Sequence, residues 1–290
     1  MMFLRQDFAV SFQPPSPNFH TIMAIDGEVY RAVAGRRTLR FMHLGKSYFL
    51  KTHQGVGWKE IMKNLLQFRA PVLSAKTEWQ ALHRLRALGI DTLTPVGYGC
   101  QGTNPSSLRS FIITEDLGET VSLEDLCADW KKGRRLSAAE VALKRALLAK
   151  VAATARQMHE NGVNHRDFYL CHLCVKPLRV IAARPPDEVA VYVMDLHRAQ
   201  LRRRTPERWR VKDLASLYFS SLDLGLTIRD LYRFAKGYTE KPLREIVNAH
   251  SKFFGKVEAR AVSLYCKIHG KPPAFLCAGA LTSAQTFVLG

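Results

Sequence analysis

Val163-Asn164-His165-Arg166-Asp167-Phe168-Tyr169-Leu170-Cys171-His172 is the stretch of this 290-residue chain whose reading decides the rest. Before it, residues 138–160 place Leu143, Leu147, Val151 and Met158 on related turns of a helix. Ser137 is positioned to cap that helix by accepting an unpaired amide proton, and Glu140, three residues on, completes a capping box. Asn161-Gly162 stops it. After the stretch, the apolar run 189–194 reads as a strand closed by Asp195. One carboxylate therefore falls in a loop and another at a strand end, where side chains of separate elements can converge on a ligand. Phosphoryl transfer needs two acids with separate duties. One orients the attacking hydroxyl and takes its proton; the other holds the Mg²⁺ that spreads the phosphate charge.

Upstream the text changes character. Gly27-Glu28-Val29-Tyr30-Arg31, Arg36-Arg37-Thr38-Leu39-Arg40-Phe41 and Lys46-Ser47-Tyr48-Phe49-Leu50-Lys51 alternate with period two around Gly35 and Gly45, which predicts a three-stranded antiparallel meander. Helical patterns follow at 58–68 and 75–88, then a strand pair at 96–100 and 111–114. Beyond Glu115-Asp116-Leu117-Gly118 the chain reads as mostly helical, with further helices at 122–130, 211–221, 228–234 and 257–268. Lys51 ends the third strand, where it can neutralise non-transferred phosphates, and Glu78 lies on a following helical face able to hold it. The expectation is an α+β protein of two lobes. Residues 1–20 form an irregular or weakly paired arm, 21–117 a small antiparallel-sheet lobe that binds nucleotide, 118–270 a larger, mostly helical catalytic and acceptor-binding lobe, and 271–290 a tail. The order Lys, Glu, Asp, Asp reads as a cleft between those lobes.

Composition sets the outer bounds. With 47% hydrophobic and 23% charged residues the chain has an ordinary globular core, which excludes a disordered tail or a disulfide-stapled miniature. Lys and Arg number 43 against 25 Asp and Glu, a formal charge of +18, so the protein's field favours an anionic partner. No apolar stretch approaches 18 residues, and Arg5, Asp7 and the prolines at 14, 15 and 17 break the order of a secretion signal. In such a chain the six scattered cysteines read as reduced thiols. Cys171-x-x-Cys174 has metal-like spacing, but it lacks the second spaced pair that a structural zinc normally requires.

The segments resemble the protein-kinase-like fold and, more closely, the lipopolysaccharide core heptose(I) kinase family. The resemblance is carried by Gly27-Glu28-Val29-Tyr30-Arg31, Gly35-Arg36-Arg37-Thr38-Leu39, Gly55-Val56-Gly57-Trp58, Val163-Asn164-His165-Arg166-Asp167, Cys171-His172, Asp195-Leu196-His197-Arg198-Ala199-Gln200 and Arg208-Trp209-Arg210-Val211-Lys212-Asp213-Leu214-Ala215, and it spans roughly residues 20–268. It implies an enzyme that uses ATP and Mg²⁺ to phosphorylate a hydroxyl of heptose I in the lipopolysaccharide inner core. It also implies a peripheral position on the cytoplasmic face of the inner membrane, against its anionic surface. By the same resemblance, Asp167 is the catalytic base, Lys51 the α/β-phosphate lysine, Glu78 its partner, Asp195 the metal-binding aspartate and Asp213 the buried brace of the catalytic loop. Gly35, Glu115, Leu117 and His172 join Lys51, Glu78 and Asp195 as nucleotide-binding positions, and His172 joins Asp195 as a metal position. Acyl carrier protein is implied as a partner; nucleic acid is not expected.

Departures from protein kinases refine that expectation. His172 stands where those enzymes carry Asn five residues past the base, and Asp195-Leu196-His197 replaces Asp-Phe-Gly. Imidazole is a poorer ligand than oxygen for Mg²⁺, so Asp195 carries more of the metal and His172 is expected to contact a phosphate or ATP. Only Gly35 remains of the glycine-rich loop. Seventeen residues separate Asp195 from Asp213, too few for a peptide platform, and they include Arg198, Arg202, Arg203, Arg204, Arg208 and Arg210. These guanidiniums suit the phosphates or acidic sugars of an anionic glycolipid. Two other readings stay open, a soluble kinase of aminoglycoside-like molecules and a basic anion-binding module without turnover.

Overall fold

A computed structural model describes residues 1–10, 12, 17–33, 35–55, 57, 58, 62, 74–131, 133–181, 185 and 188–273. Most of the 58–68 helix, part of the N-terminal arm and most of the 271–290 tail lie outside these residues. The chain divides into two units, Met1–Gly118 with Asp195–Arg198, and Glu119–Met194 with Ala199–Gly290. Asp195–Arg198 thus groups with the sheet unit although its flanking sequence belongs to the helical one.

The first unit is built on an antiparallel sheet of strands β1 (Met2–Leu4), β2 (Glu28–Val33), β3 (Arg36–His43), β4 (Lys46–Gln54), β5 (Pro95–Gln101) and β6 (Arg109–Glu115), in the order β1-β5-β6-β4-β3-β2. The expected meander is β2 to β4. Its second turn is Leu44-Gly45, both at positive φ, the conformation that a two-residue hairpin requires. Alternation decides the sheet's inner face: Leu39, Phe41, Tyr48, Leu50, Phe111 and Ile113 are buried together.

The arm expected to be irregular or weakly paired contains, among the described residues, one short paired strand and a helix. Met2–Leu4 pairs with Gly97–Gly99 of β5, and helices α1 (Gln6–Ala9) and α2 (Phe19–Met23) drive Phe8 and Ile22 into the same core. The strand is too short for its period to be read, and the open edge of β5 recruits it through backbone hydrogen bonds. Helix α3 (Lys76–Ala87) buries Ala81, Leu82 and Leu85 and turns Glu78 inward.

In the second unit, β7 (Val121–Ser122) leads into the short helix α4 (Leu123–Leu126), less than the 122–130 helix expected. Helix α5 (Ala138–Glu160) starts at the Ser137–Glu140 capping box and buries Leu147, Val151, Ala155 and Met158. It is followed by β8 (Val163–Asn164), β9 (Leu173–Val175), α6 (Leu178–Ile181), β10 (Tyr192–Val193) and β11 (Gln200–Leu201). The 189–194 run forms a ladder of only two residues with β9, because its partner is itself three residues long. Val189 and Val191 are buried by packing instead. Helices α7 (Glu207–Ser221), α8 (Ile228–Thr239) and α9 (Ser251–His269) complete the unit; α8 packs on α5 and α9 on α7. Each of the three extends beyond the bounds its apolar period gave. Between them and α5 lies a cavity of about 130 Å³ lined by Leu147, Val151, Leu214, Leu217, Phe254 and other apolar side chains. The buried Lys144–Asp230 pair, 2.7 Å apart, links α5 to α8. Among the described residues, no helix is long and apolar enough to cross a membrane.

Candidate active site

The sheet unit brings three of the expected residues together. Lys51 projects from β4, and its Nζ lies 2.6 Å from Glu78 Oε1 on α3 and 4.0 Å from Asp195 Oδ1. Burial alone would favour the neutral amine. The two carboxylates outweigh it and hold the lysine above its ordinary range, so it is firmly an ammonium. Asp195 sits at φ +56 and Arg166, in the other unit, at φ +73. A non-glycine residue held in the left-handed region costs about 1–3 kcal/mol, and such strain concentrates where geometry serves function. His197 Nδ1 approaches Asp195 Oδ1 at 2.5 Å and orients that carboxylate. Nearby, His53 is buried; desolvation, with help from Arg36, Lys51 and His197, lowers its pKa to about 4 and keeps it neutral.

Asp195 suits a magnesium ion. It is a partly exposed carboxylate beside an ammonium already suited to phosphates, and Mg²⁺ usually takes one or two carboxylates plus phosphate oxygens. Gly35, at φ +75, turns β2 into β3 at a point where an added Cβ would stand 2.6 Å from the Gly55 carbonyl oxygen. Glu115 ends β6 with its carboxylate taken by Arg5 at 2.7 Å. Leu117 follows Asp116, whose carboxylate accepts hydrogen bonds from Ser47 and the Gly118 amide and pairs with Arg40.

The helical unit holds the expected catalytic loop by its backbone. Asp213, fully buried on α7, accepts the amide hydrogens of His165 at 2.6 Å and Arg166 at 2.8 Å. This is the bracing geometry expected of it. His159, at the end of α5, adds a third contact: its Nε2 lies 3.3 Å from Asp213, and its Nδ1 lies 2.9 Å from the Tyr238 hydroxyl on α8. A carboxylate can only accept, so the imidazole donates from Nε2. His165 donates through Nε2 to the Met194 carbonyl, and His172 through Nδ1 to the Asp167 carbonyl at 2.7 Å. Their rings stack at 5.8 Å. With Phe168 and Leu170 buried, the loop presents Asp167 half-exposed on a fixed frame. The loop's entry is equally constrained. Gly162, at φ +76, leads into β8, and a Cβ there would collide with the Arg202 carbonyl.

His159, Tyr238 and His197 were missed by sequence reading. His159 ends a mostly apolar buried face of α5 that also carries Lys144 and Thr154, which makes it a weak signal; its partners lie 54 and 79 residues away.

A two-unit α+β architecture, with an antiparallel sheet carrying a lysine–glutamate pair and a helical unit carrying a braced aspartate loop, defines a protein-kinase-like fold. Residues 20–238 match the lipopolysaccharide kinase (Kdo/WaaP) family. The lipopolysaccharide core heptose(I) kinase WaaP of Escherichia coli is 47% identical over 264 residues, 91% of this chain and 97% of that protein. WaaP of Pseudomonas aeruginosa is 47% identical over 247 residues, covering 85% and 90%. A solved structure of WaaP in complex with acyl carrier protein superposes with a TM-score of 0.74 at 40% identity, covering 91% of this chain and 99% of that one. The chain belongs to the lipopolysaccharide kinase (Kdo/WaaP) family.

Proposed function

We propose that this protein is an ATP- and Mg²⁺-dependent kinase that phosphorylates a hydroxyl of heptose I in the lipopolysaccharide inner core. The observation that carries the reading is the Lys51 ammonium fixed between Glu78 and Asp195, an arrangement suited to the phosphates of a nucleotide. Asp167 orients the acceptor hydroxyl and takes its proton, and the frame around Asp213 keeps its loop in place. Lys51 binds non-transferred phosphates while Glu78 prevents it from swinging away. Asp195, with His197 behind it, is the metal ligand; bound Mg²⁺ supplies charge neutralisation across the phosphate oxygens. His172 Nδ1 donates to the Asp167 carbonyl, so any contact with a phosphate or the metal would be made through Nε2. At Glu115 the side chain is held by Arg5, so backbone atoms from there to Leu117 would meet the adenine. Positioning and electrostatics supply most of the rate in this chemistry.

The acceptor assignment rests on relatives at 47–48% identity that are named for it, and on the basic interval after Asp195. A peripheral place on the cytoplasmic face of the inner membrane follows from a membrane-anchored acceptor and a charge of +18. Acyl carrier protein is the proposed partner, since the structural neighbour was solved with one.

Mg-ATP transfer to defined truncated core glycolipids, with NMR location of the new phosphate, tests the reading. Asp167→Ala is expected to lower turnover by about 10²–10⁴-fold with ATP affinity largely retained, and Asp195→Ala to weaken Mg-ATP binding as well. Phosphate arriving on soluble amino sugars instead would favour the aminoglycoside-like alternative. Salt-sensitive glycolipid binding with no turnover would leave only an anion-binding module.

A further inference from the structure

The basic interval contains a defined cluster. Around the indole of Trp209, in the first turns of α7, lie Arg166 at 5.3 Å, Arg208 at 5.4 Å, Lys212 at 5.5 Å and Arg202 at 5.8 Å from the ring centre. They come from three places in the helical unit: the catalytic loop, the residue after β11, and α7 itself. Like charges this close repel, and the start of a helix is where its dipole disfavours cations. The indole face offsets part of that cost and fixes the guanidiniums in orientation. Glu207, the acid of that first turn, is paired at 2.6 Å with Lys256. Four cations gathered around one indole, beside the loop that carries Asp167, are placed to meet an anion.

Resting on the kinase reading above, we propose that the Trp209 cluster reads an oxyanion that the acceptor already carries near its receiving hydroxyl, a carboxylate or a phosphate. The placement gives it that role. Arg166 immediately precedes Asp167, and its amide is bonded to Asp213, which lies one helical turn from Trp209. An anion held by the cluster is thereby registered against the base through a single buried carboxylate. Trp209 is a positioning residue, and Arg202 and Arg208 are specificity-determining ones.

The test uses three forms of one acceptor glycan: intact, with acidic-sugar carboxyls reduced to alcohols, and with phosphates removed. The double variant Arg202→Gln/Arg208→Gln is expected to raise the acceptor KM about tenfold or more on the intact form, leaving the KM for ATP unchanged. It should have little effect on whichever form has lost the recognised group, which identifies that group as carboxylate or phosphate. Trp209→Leu should act in the same direction and Trp209→Phe should restore most of the loss. Equal KM in variant and wild type, or the same fold-change on all three forms, overturns the proposal. Should wild type phosphorylate none of them, the kinase reading fails. Calorimetric binding of the same glycans then still decides the subsite, which is overturned by equal affinity for charged and neutralised forms.

Discussion

The Lys51 corner and the Asp167 loop are held by opposite means. In the sheet unit, a long flexible side chain is pinned by two carboxylates, and the geometry exists only while those charges do. In the helical unit, backbone amides of the loop are bonded to a buried acid that His159 and Tyr238 in turn support. On the proposed reading, the Lys51 corner must change charge partners as phosphates and metal come and go, and ion pairs permit this. A base that must meet a hydroxyl at hydrogen-bond distance needs a frame that no ligand perturbs.

The comparison breaks most sharply at Asp213. Asp213→Ala leaves two loop amides and an imidazole without an acceptor in a dry site, and the expected cost is about 3 kcal/mol or more in chemical denaturation, together with loss of turnover. A variant with wild-type stability would mean that the loop does not depend on this brace.

Acid should distinguish the units next. His53 is neutral in the folded sheet unit with its pKa depressed to about 4, while an unfolded histidine takes its proton near 6.5. The unfolded state therefore binds more protons as pH falls from neutrality, and stability drops between those two values, by about 2 kcal/mol at pH 5. Amide protection factors, corrected for the intrinsic pH dependence of exchange, should fall over that window more in β4 than in α5, and His53→Leu should flatten the dependence. An identical pH slope in wild type and variant would remove His53 as the cause.

The smallest expected effect sharpens the view of the corner. Glu78→Gln keeps the shape but removes the charge that restrains Lys51, so the KM for ATP should rise about tenfold; the amide oxygen can still accept from Lys51 and Asp195 stays beside it, so the stability loss should be about 2 kcal/mol, below that of Asp213→Ala. Added salt should weaken ATP binding further in the variant, whereas turnover at saturating ATP should be far less salt-sensitive. A stability loss as large as that of Asp213→Ala would erase the distinction between the two regions.

Legibility followed the range of the interactions. The Ser137–Glu140 box, the Leu44-Gly45 hairpin turn and the alternation of β3 and β4 are encoded by residues a few positions apart, and all could be read from the chain. Lys51, Glu78, Asp167, Asp195 and Asp213 were singled out because their order and context together fit one chemistry; the structure brings Lys51, Glu78 and Asp195 together and bonds Asp213 to the amides before Asp167, and their roles are part of the proposal. What stayed hidden is non-local. β1 pairs Met2 with Gly99, His159 meets Asp213, and Trp209 collects cations from three stretches. A two-residue ladder such as β10 carries too little periodicity to be told from buried coil.

Gly162 carries a practical warning for anyone sorting inactive alleles of this protein. With the Arg202 carbonyl occupying the space a side chain would need, every replacement there must displace backbone at the mouth of the catalytic loop. Such alleles would score as null beside those at Asp167 without having touched the chemistry. Only a probe of folding, read alongside the assay, separates a broken hinge from loss of the proposed base.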